Sequence, residues 1–124
     1  MAESATEFFE EIHARGHEPL LAKARGTLRV DLSDVDTVET WMLHIDRGNV
    51  VVSRDAVEPA CRVQTSRKLF DRVISGRQNA MAAMLRGDIV YDGDTELLML
   101  FQRVFPGPPD AVRPARPGET RSAQ

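Results

Sequence analysis

TSRKLFDRVISGRQNAMAAMLRGDIVYDGDTELLMLFQRVF, residues 65–105, strings three apolar helical faces along one short strand. Ser66 predicts an N-cap, because its hydroxyl accepts a hydrogen bond from an orphan amide of the first turn, and Leu69, Phe70, Val73 and Ile74 then recur on one side. Gly76 ends that helix. Asn79 predicts the cap of a second helix, in which Met81, Met84 and Leu85 share a face until Gly87 stops it. Ile89-Val90-Tyr91, set between Asp88 and Asp92-Gly93, reads as a strand. Asp94 caps the last helix. At about 100° per residue, Leu97, Leu98, Leu100, Phe101, Val104 and Phe105 cover an arc of roughly 160°. A face so wide needs a surface to lie against.

The preceding residues supply that surface. Ser4 and Glu7 have capping-box spacing, and Ala5, Phe8, Phe9 and Ile12 repeat at helical intervals until Gly16. Pro19 starts a short turn through Leu20 and Leu21, closed by Gly26. From Thr27 the period becomes two: Leu28, Val30 and Leu32 alternate with Thr27, Arg29 and Asp31, which predicts a strand with one wet face. Trp41, Leu43 and Ile45 alternate in the same way with Thr40, Met42, His44 and Asp46. Arg47-Gly48-Asn49 predicts a tight turn into a return strand at Val50–Arg54. Asp55–Ala60 is long enough to cross to another edge, and Cys61–Thr65 is a further short strand. The order implies an α+β fold: about five strands in a mainly antiparallel sheet, with the helices on one face.

At 124 residues the chain forms one core and buries about two thirds of its unfolded surface. No apolar run approaches the roughly eighteen residues of a membrane span. The opening MAESATEFFEEIH is acidic and amphipathic, unlike a secretory or transit peptide. The single cysteine, Cys61, leaves no internal disulfide and fits a reducing compartment, so the expected location is cytoplasmic. A net charge of -3 argues against a nucleic-acid partner, since phosphate neutralisation needs a basic surface. After Phe105, PGPPDAVRPARPGETRSAQ has the low hydrophobicity and proline content of a disordered tail.

GTLRVDL (26–32), TWMLHIDRGNV (40–50), CRV (61–63) and above all NAMAAMLRGDIVYDGD (79–94), followed by Leu97 and Leu100, together resemble the sterol carrier protein 2 family of lipid-binding domains, in a bacterial stand-alone form. The resemblance covers residues 1–106, with 107–124 as the Pro/Arg-rich tail. It implies an apolar tunnel between sheet and helices for a sterol, fatty acid, acyl-CoA or similar lipid, bound or handed over without a catalytic residue, metal or cofactor. The lining residues it points to are Trp41, Leu43, Phe70, Ile74, Met81, Met84, Leu85, Leu97, Leu98, Phe101 and Phe105. Two alternatives stand beside this reading. One is an enzyme that folds a hydrophobic metabolite in the same cavity for cyclisation or isomerisation; the other is a dimerisation or interaction module without a ligand. The ending Ser122-Ala123-Gln124 is not the peroxisomal tripeptide of eukaryotic carriers, so peroxisomal import is not expected.

Energetics limit the unliganded form. An empty pocket of about 300 Å³, the low end of ligand-site volumes, costs roughly 7 kcal/mol at about 24 cal/mol per Å³. That rivals a whole domain stability of about 5–15 kcal/mol. The pocket is therefore expected to be collapsed, wet or occupied. His13 and His17 have the i, i+4 spacing of a helical metal pair, but Gly16 breaks the helix between them. His44 reads as half of a solvated pair with Asp46, Cys61 as a core residue, and Ser66 as a cap without the glycine elbow of a nucleophile. Arg67, Lys68, Arg72 and Arg77 make a basic side that is either a solvated face or a transient landing patch for anionic headgroups. Met99 lies in the middle of the last helix's polar arc, as a lone exposed residue or as part of a homodimer contact.

Overall fold

The computed structural model describes residues 4–105. Four helices begin on the side chains that the sequence names. The Ser4 hydroxyl caps α1 (Ala5–Arg15), accepting from the Glu7 amide at 3.3 Å. Ser66 does the same for α2 (Arg67–Ile74) with the Leu69 amide at 3.0 Å. The side-chain oxygens of Asn79 and Asp94 cap α3 (Ala80–Arg86) and α4 (Thr95–Phe101), at 2.9 and 3.1 Å. A 3-10 turn at Pro19–Leu21 follows α1, and another at Gln102–Val104 extends α4.

The strands are β1 (Arg25–Ser33), β2 (Val38–Asp46), β3 (Asn49–Ser53), β4 (Cys61–Ser66) and β5 (Val90–Gly93). They form one sheet in the order β3-β2-β1-β4-β5. Three pairings are antiparallel and β1–β4 is parallel. Asp55–Ala60 is the crossover that carries the chain past β1. Arg47 and Gly48, at φ 51° and 94°, make the two-residue β2–β3 turn. Positive φ at both positions matches the twist of the strands it joins.

β1 begins before Gly26, the residue expected to close the preceding turn. Gly26 has φ 136°, and a Cβ there would meet Leu97 Cδ2 at 3.1 Å. Its bareness lets α4 seat on the strand. Leu28, Val30, Leu32, Trp41, Leu43, Ile45, Val50 and Val63 point from the sheet into the core, beneath Phe8, Phe9, Ile12, Phe70, Val73, Leu97, Leu98 and Phe101 of the helices.

The opposite face is drier than simple alternation predicts. Asp31 is only 4% exposed and Met42 is fully buried there. The parallel pairing sets β4 beside β1, so Arg62 Nε donates to Asp31 Oδ2 at 2.7 Å. Thr40 Oγ1 and Arg29 Nε donate to Asp31 Oδ1 at 2.7 and 3.0 Å. Single-strand periodicity cannot register neighbours brought in from three strands.

The outer edge of β3 is covered by the end of α1. The Val52 amide donates to His13 Nδ1 at 3.1 Å, and the Val50 amide to the Gly16 carbonyl at 2.9 Å. β5 ends the sheet at its other side with its outer edge unpaired among the described residues. The expected tail, 107–124, lies outside those residues.

Candidate functional site

Between the sheet and α2–α4 lies a cavity walled by Val30, Val63, Phe70, Val73, Ala80, Met84, Ile89, Leu98, Phe101 and Phe105. Every one of these side chains is hydrocarbon or thioether. The strands supply Val30 and Val63 because their period of two turns these residues to the helix side. α2 brings Phe70 and Val73 one turn apart on its buried face, and α4 brings Leu98 and Phe101 in the same way. The cavity holds about 20 Å³, little more than the roughly 10–15 Å³ that admits one water molecule. With no polar wall atom to hold a water, it is a dry seam. Among the described residues, three larger concavities are open surface grooves. One of about 500 Å³ is lined by Ser33, Asp34, Ser66, Arg67, Lys68 and Asp71, a polar wall with nothing to retain an apolar ligand.

Five of the residues expected to line a tunnel meet at this seam: Phe70, Met84, Leu98, Phe101 and Phe105. Trp41, Leu43, Ile74 and Leu97 are buried in the surrounding core. Met81 and Leu85 are not inward-facing: Met81 is 38% exposed and Leu85 81%. α3 turns Ala80 and Ala83 inward instead, with Met84 beside them. Seven residues give barely two turns, and alanine is as apolar as leucine in pattern, so the sequence does not fix the phase of this helix. The small residues win the inner side because a short helix can then sit close to the sheet. Met99, placed by the helical wheel among polar residues, is partly buried against the core, and its sulfur accepts from Gln102 Nε2 at 3.1 Å. Val30, Val63, Val73, Ala80 and Ile89 were missed as lining residues; strand alternation marks the two sheet valines, whereas nothing in sequence separates Ala80 from ordinary helix filler.

All five phenylalanines and the single tryptophan join in one aromatic cluster. Phe105 meets Phe70 and Phe101 edge-on, with centroids 5.8 and 5.2 Å apart. Phe70 stacks on Phe9 at 5.5 Å, and Phe9 on Trp41 at 4.8 Å. Arg54 covers the outer face of this stack, its guanidinium carbon 4.1 Å from the Trp41 ring centroid. A cation over an indole face is attracted by the ring quadrupole. The Trp41 Nε1 hydrogen is buried without an acceptor.

The ionisable groups lie outside the cavity wall. Burial works to raise the Asp31 carboxyl, but hydrogen bonds from Thr40, Arg62 and Arg29 outweigh it and hold the group below its ordinary range. Burial, reinforced by the Asp94 and Asp92 carboxylates, pushes the Cys61 thiol up, leaving it protonated and a poor nucleophile. His13 is engaged with the Val52 amide, His17 Nδ1 lies 3.1 Å from Asn49 Oδ1, and His44 Nε2 faces Ser53 Oγ at 3.3 Å rather than Asp46. Among the described residues, no three His, Cys, Asp or Glu side chains gather as a metal site, and no helix is long and apolar enough to cross a membrane.

The model of the SCP-2 sterol transfer family matches residues 8–106. Among solved structures, the sterol carrier protein domain 2 of Helicoverpa armigera superposes with a TM-score of 0.65 at 21% identity, covering 78% of this chain and 84% of that one. The palmitated SCP2L2 of Aedes aegypti gives 0.63 at 19%, covering 82% and 93%. The sec-alkylsulfatase Pisa1 of a Pseudomonas species gives 0.65 at 17%, covering 79% of this chain but 16% of that one, so the fold also occurs as a small part of a much larger protein. No curated protein is detectably similar in sequence. At these identities the superpositions establish the fold.

Proposed function

This chain belongs to the SCP-2 sterol transfer family, and from that premise we propose that it binds the apolar part of a lipid between sheet and helices and hands it over in the cytoplasm without chemical change. The observation that carries the reading is the seam itself, an under-filled space whose whole wall is apolar and which α3 and α4 roof. A lipid tail gains there by leaving water, at about 25 cal/mol per Å² of apolar surface. Its polar headgroup finds no partner in the wall and stays outside, because burying it unpaired would be costly. The structural likeness to a palmitated domain makes an acyl chain the first ligand to try.

The wall also weighs against the cyclase or isomerase alternative. Val, Phe, Ala, Met, Ile and Leu side chains offer a reacting centre no group that can give or take a proton. The closed state has the collapsed form favoured by energetics: expanding the seam to about 300 Å³ without a guest would cost roughly 7 kcal/mol, so room and ligand arrive together. Organic extraction of the purified protein followed by mass spectrometry, with thermal shifts across fatty acids, acyl-CoA and sterols, tests the proposal. A co-purifying lipid or a ligand-dependent rise in melting temperature is expected. An empty extract together with flat melting curves would overturn it.

A further inference from the structure

The geometry points to the outer edge of β5 as a docking site for an extended, basic segment of a partner protein, which pairs there as a further antiparallel strand. The Asp94 amide donates to the Ala60 carbonyl at 2.8 Å, and the register runs on through Arg62↔Asp92 to Gln64↔Val90. Hydrogen-bonded pairs alternate along an antiparallel ladder, so Asp92 and Val90 bond inward to β4. Tyr91, between them, turns its amide and carbonyl outward, where no strand meets them among the described residues. All of β5 is exposed, Val90 at 53% and Tyr91 at 39%. Such an edge holds an extended chain by main-chain hydrogen bonds, while alternate side chains decide which chain it holds.

The side chains along this edge specify the partner. Residues 86–96 hold Asp88, Asp92, Asp94 and Glu96 against a single base, Arg86, so the chain's net charge of -3 resides here. Arg86 engages Asp88 at 3.0 Å, and Asp94 Oδ1 accepts the Leu97 amide at 3.1 Å. Arg62, in register with Asp92, turns instead to Asp31 Oδ2 at 2.7 Å. Asp92 is therefore exposed and without an ion pair among the described residues. It lies with Val90 on the helix-free side of β5, whereas Tyr91, in register with core-facing Val63, lies on the other. A strand with basic residues toward Asp92 and β-branched residues toward Tyr91 meets an opposite charge on one side and an aromatic ring on the other, both stabilising cross-strand pairs. A second copy of β5 would set its own carboxylates against these, and like charges facing one another across strands are destabilising.

The test is fluorescence anisotropy of the full chain with a labelled peptide of alternating lysine and valine, about six residues long, the length of an ordinary strand. The peptide should bind, and added salt should weaken it. Methylating the backbone nitrogens of its valines keeps the charge but removes ladder donors, and should cost about tenfold or more. Exchanging its lysines for glutamates should abolish binding. Asp92→Lys should weaken the lysine peptide about fivefold, whereas Asp46→Lys, the same change of charge at the β2–β3 hairpin, should bind as wild type. Circular dichroism melts confirm that both variants fold. Amide exchange followed by NMR locates the contact without a substitution. In the free chain Tyr91 should exchange fast and Asp92 slowly, and the peptide should protect Tyr91. No binding of the lysine peptide, indifference to N-methylation, or equal losses in Asp92→Lys and Asp46→Lys would each overturn the inference. So would a Tyr91 amide already protected in the free chain, or one whose protection rises with protein concentration.

Discussion

Replacing Leu98 by alanine measures whether the seam is the nucleus of a larger site. Leu98 is 2% exposed and borders the existing void. That void costs about 0.5 kcal/mol at roughly 24 cal/mol per Å³. Leucine-to-alanine changes in cores cost about 2.7–5.0 kcal/mol, depending on how far the surroundings collapse. The aromatic walls Phe101 and Phe70 are locked in the cluster, so little collapse is available, and a loss of about 3–4 kcal/mol is expected. For a domain of this size that lowers Tm by about 12–16 °C and leaves the protein folded. Leu43→Ala is the matched control: Leu43 is equally inaccessible but does not touch the seam. Urea unfolding followed by circular dichroism, with and without n-decanol, is the assay. The alkanol is too long for an isolated leucine-sized hole, yet it fits a void continuous with the seam. At free decanol of about one hundred times its dissociation constant, Leu98→Ala should regain about 2.7 kcal/mol. Leu43→Ala should regain nothing. Equal rescue of the two variants, or none in either, would refute the reasoning.

Three further outcomes follow from the same structure. The Asp31 carboxyl is held below its ordinary value, so its stabilising contribution is complete above the unfolded-state value near pH 4 and disappears as pH falls through the folded one; Asp31→Asn should lose about 2 kcal/mol at neutral pH, and a gap to wild type that fails to narrow in acid would contradict this. Cys61 is buried and its thiol pushed up, so iodoacetamide at mildly alkaline pH should modify it only as fast as the protein unfolds, and rapid labelling of the native state would argue otherwise. A ligand that displaces Phe70 must disturb Phe9 and through it Trp41, so fatty-acid titration should shift tryptophan emission; a flat signal while displacement saturates would break that relay.

The fold was legible because each level of the sequence agreed with the next. Ser4, Ser66, Asn79 and Asp94 mark helix starts that no tertiary contact is needed to identify, and the change of period at Thr27 announces the sheet. The parallel β1–β4 pairing is not written in either strand. Its consequence, a buried Asp31 shared by Arg29, Arg62 and Thr40, therefore had to come from the structure. The candidate site divided along the same line. α4 carries a broad, strongly apolar arc, so Leu98 and Phe101 were identifiable as inward residues. α3 is too short and too uniformly apolar to declare its phase, and its two large outward apolar side chains, Met81 and Leu85, were read as inward ones.

His13 and Gly16, by occupying the backbone donors along β3, give the sheet a built-in direction. Any strand recruited from outside, whether from a fused neighbour or from a misassembled copy, finds one flank already terminated and must add beyond β5. A genetic fusion intended to lengthen this sheet should therefore be joined so that the incoming segment reaches β5. Removing the imidazole of His13 would free only the Val52 donor, because the Gly16 carbonyl still holds the Val50 amide.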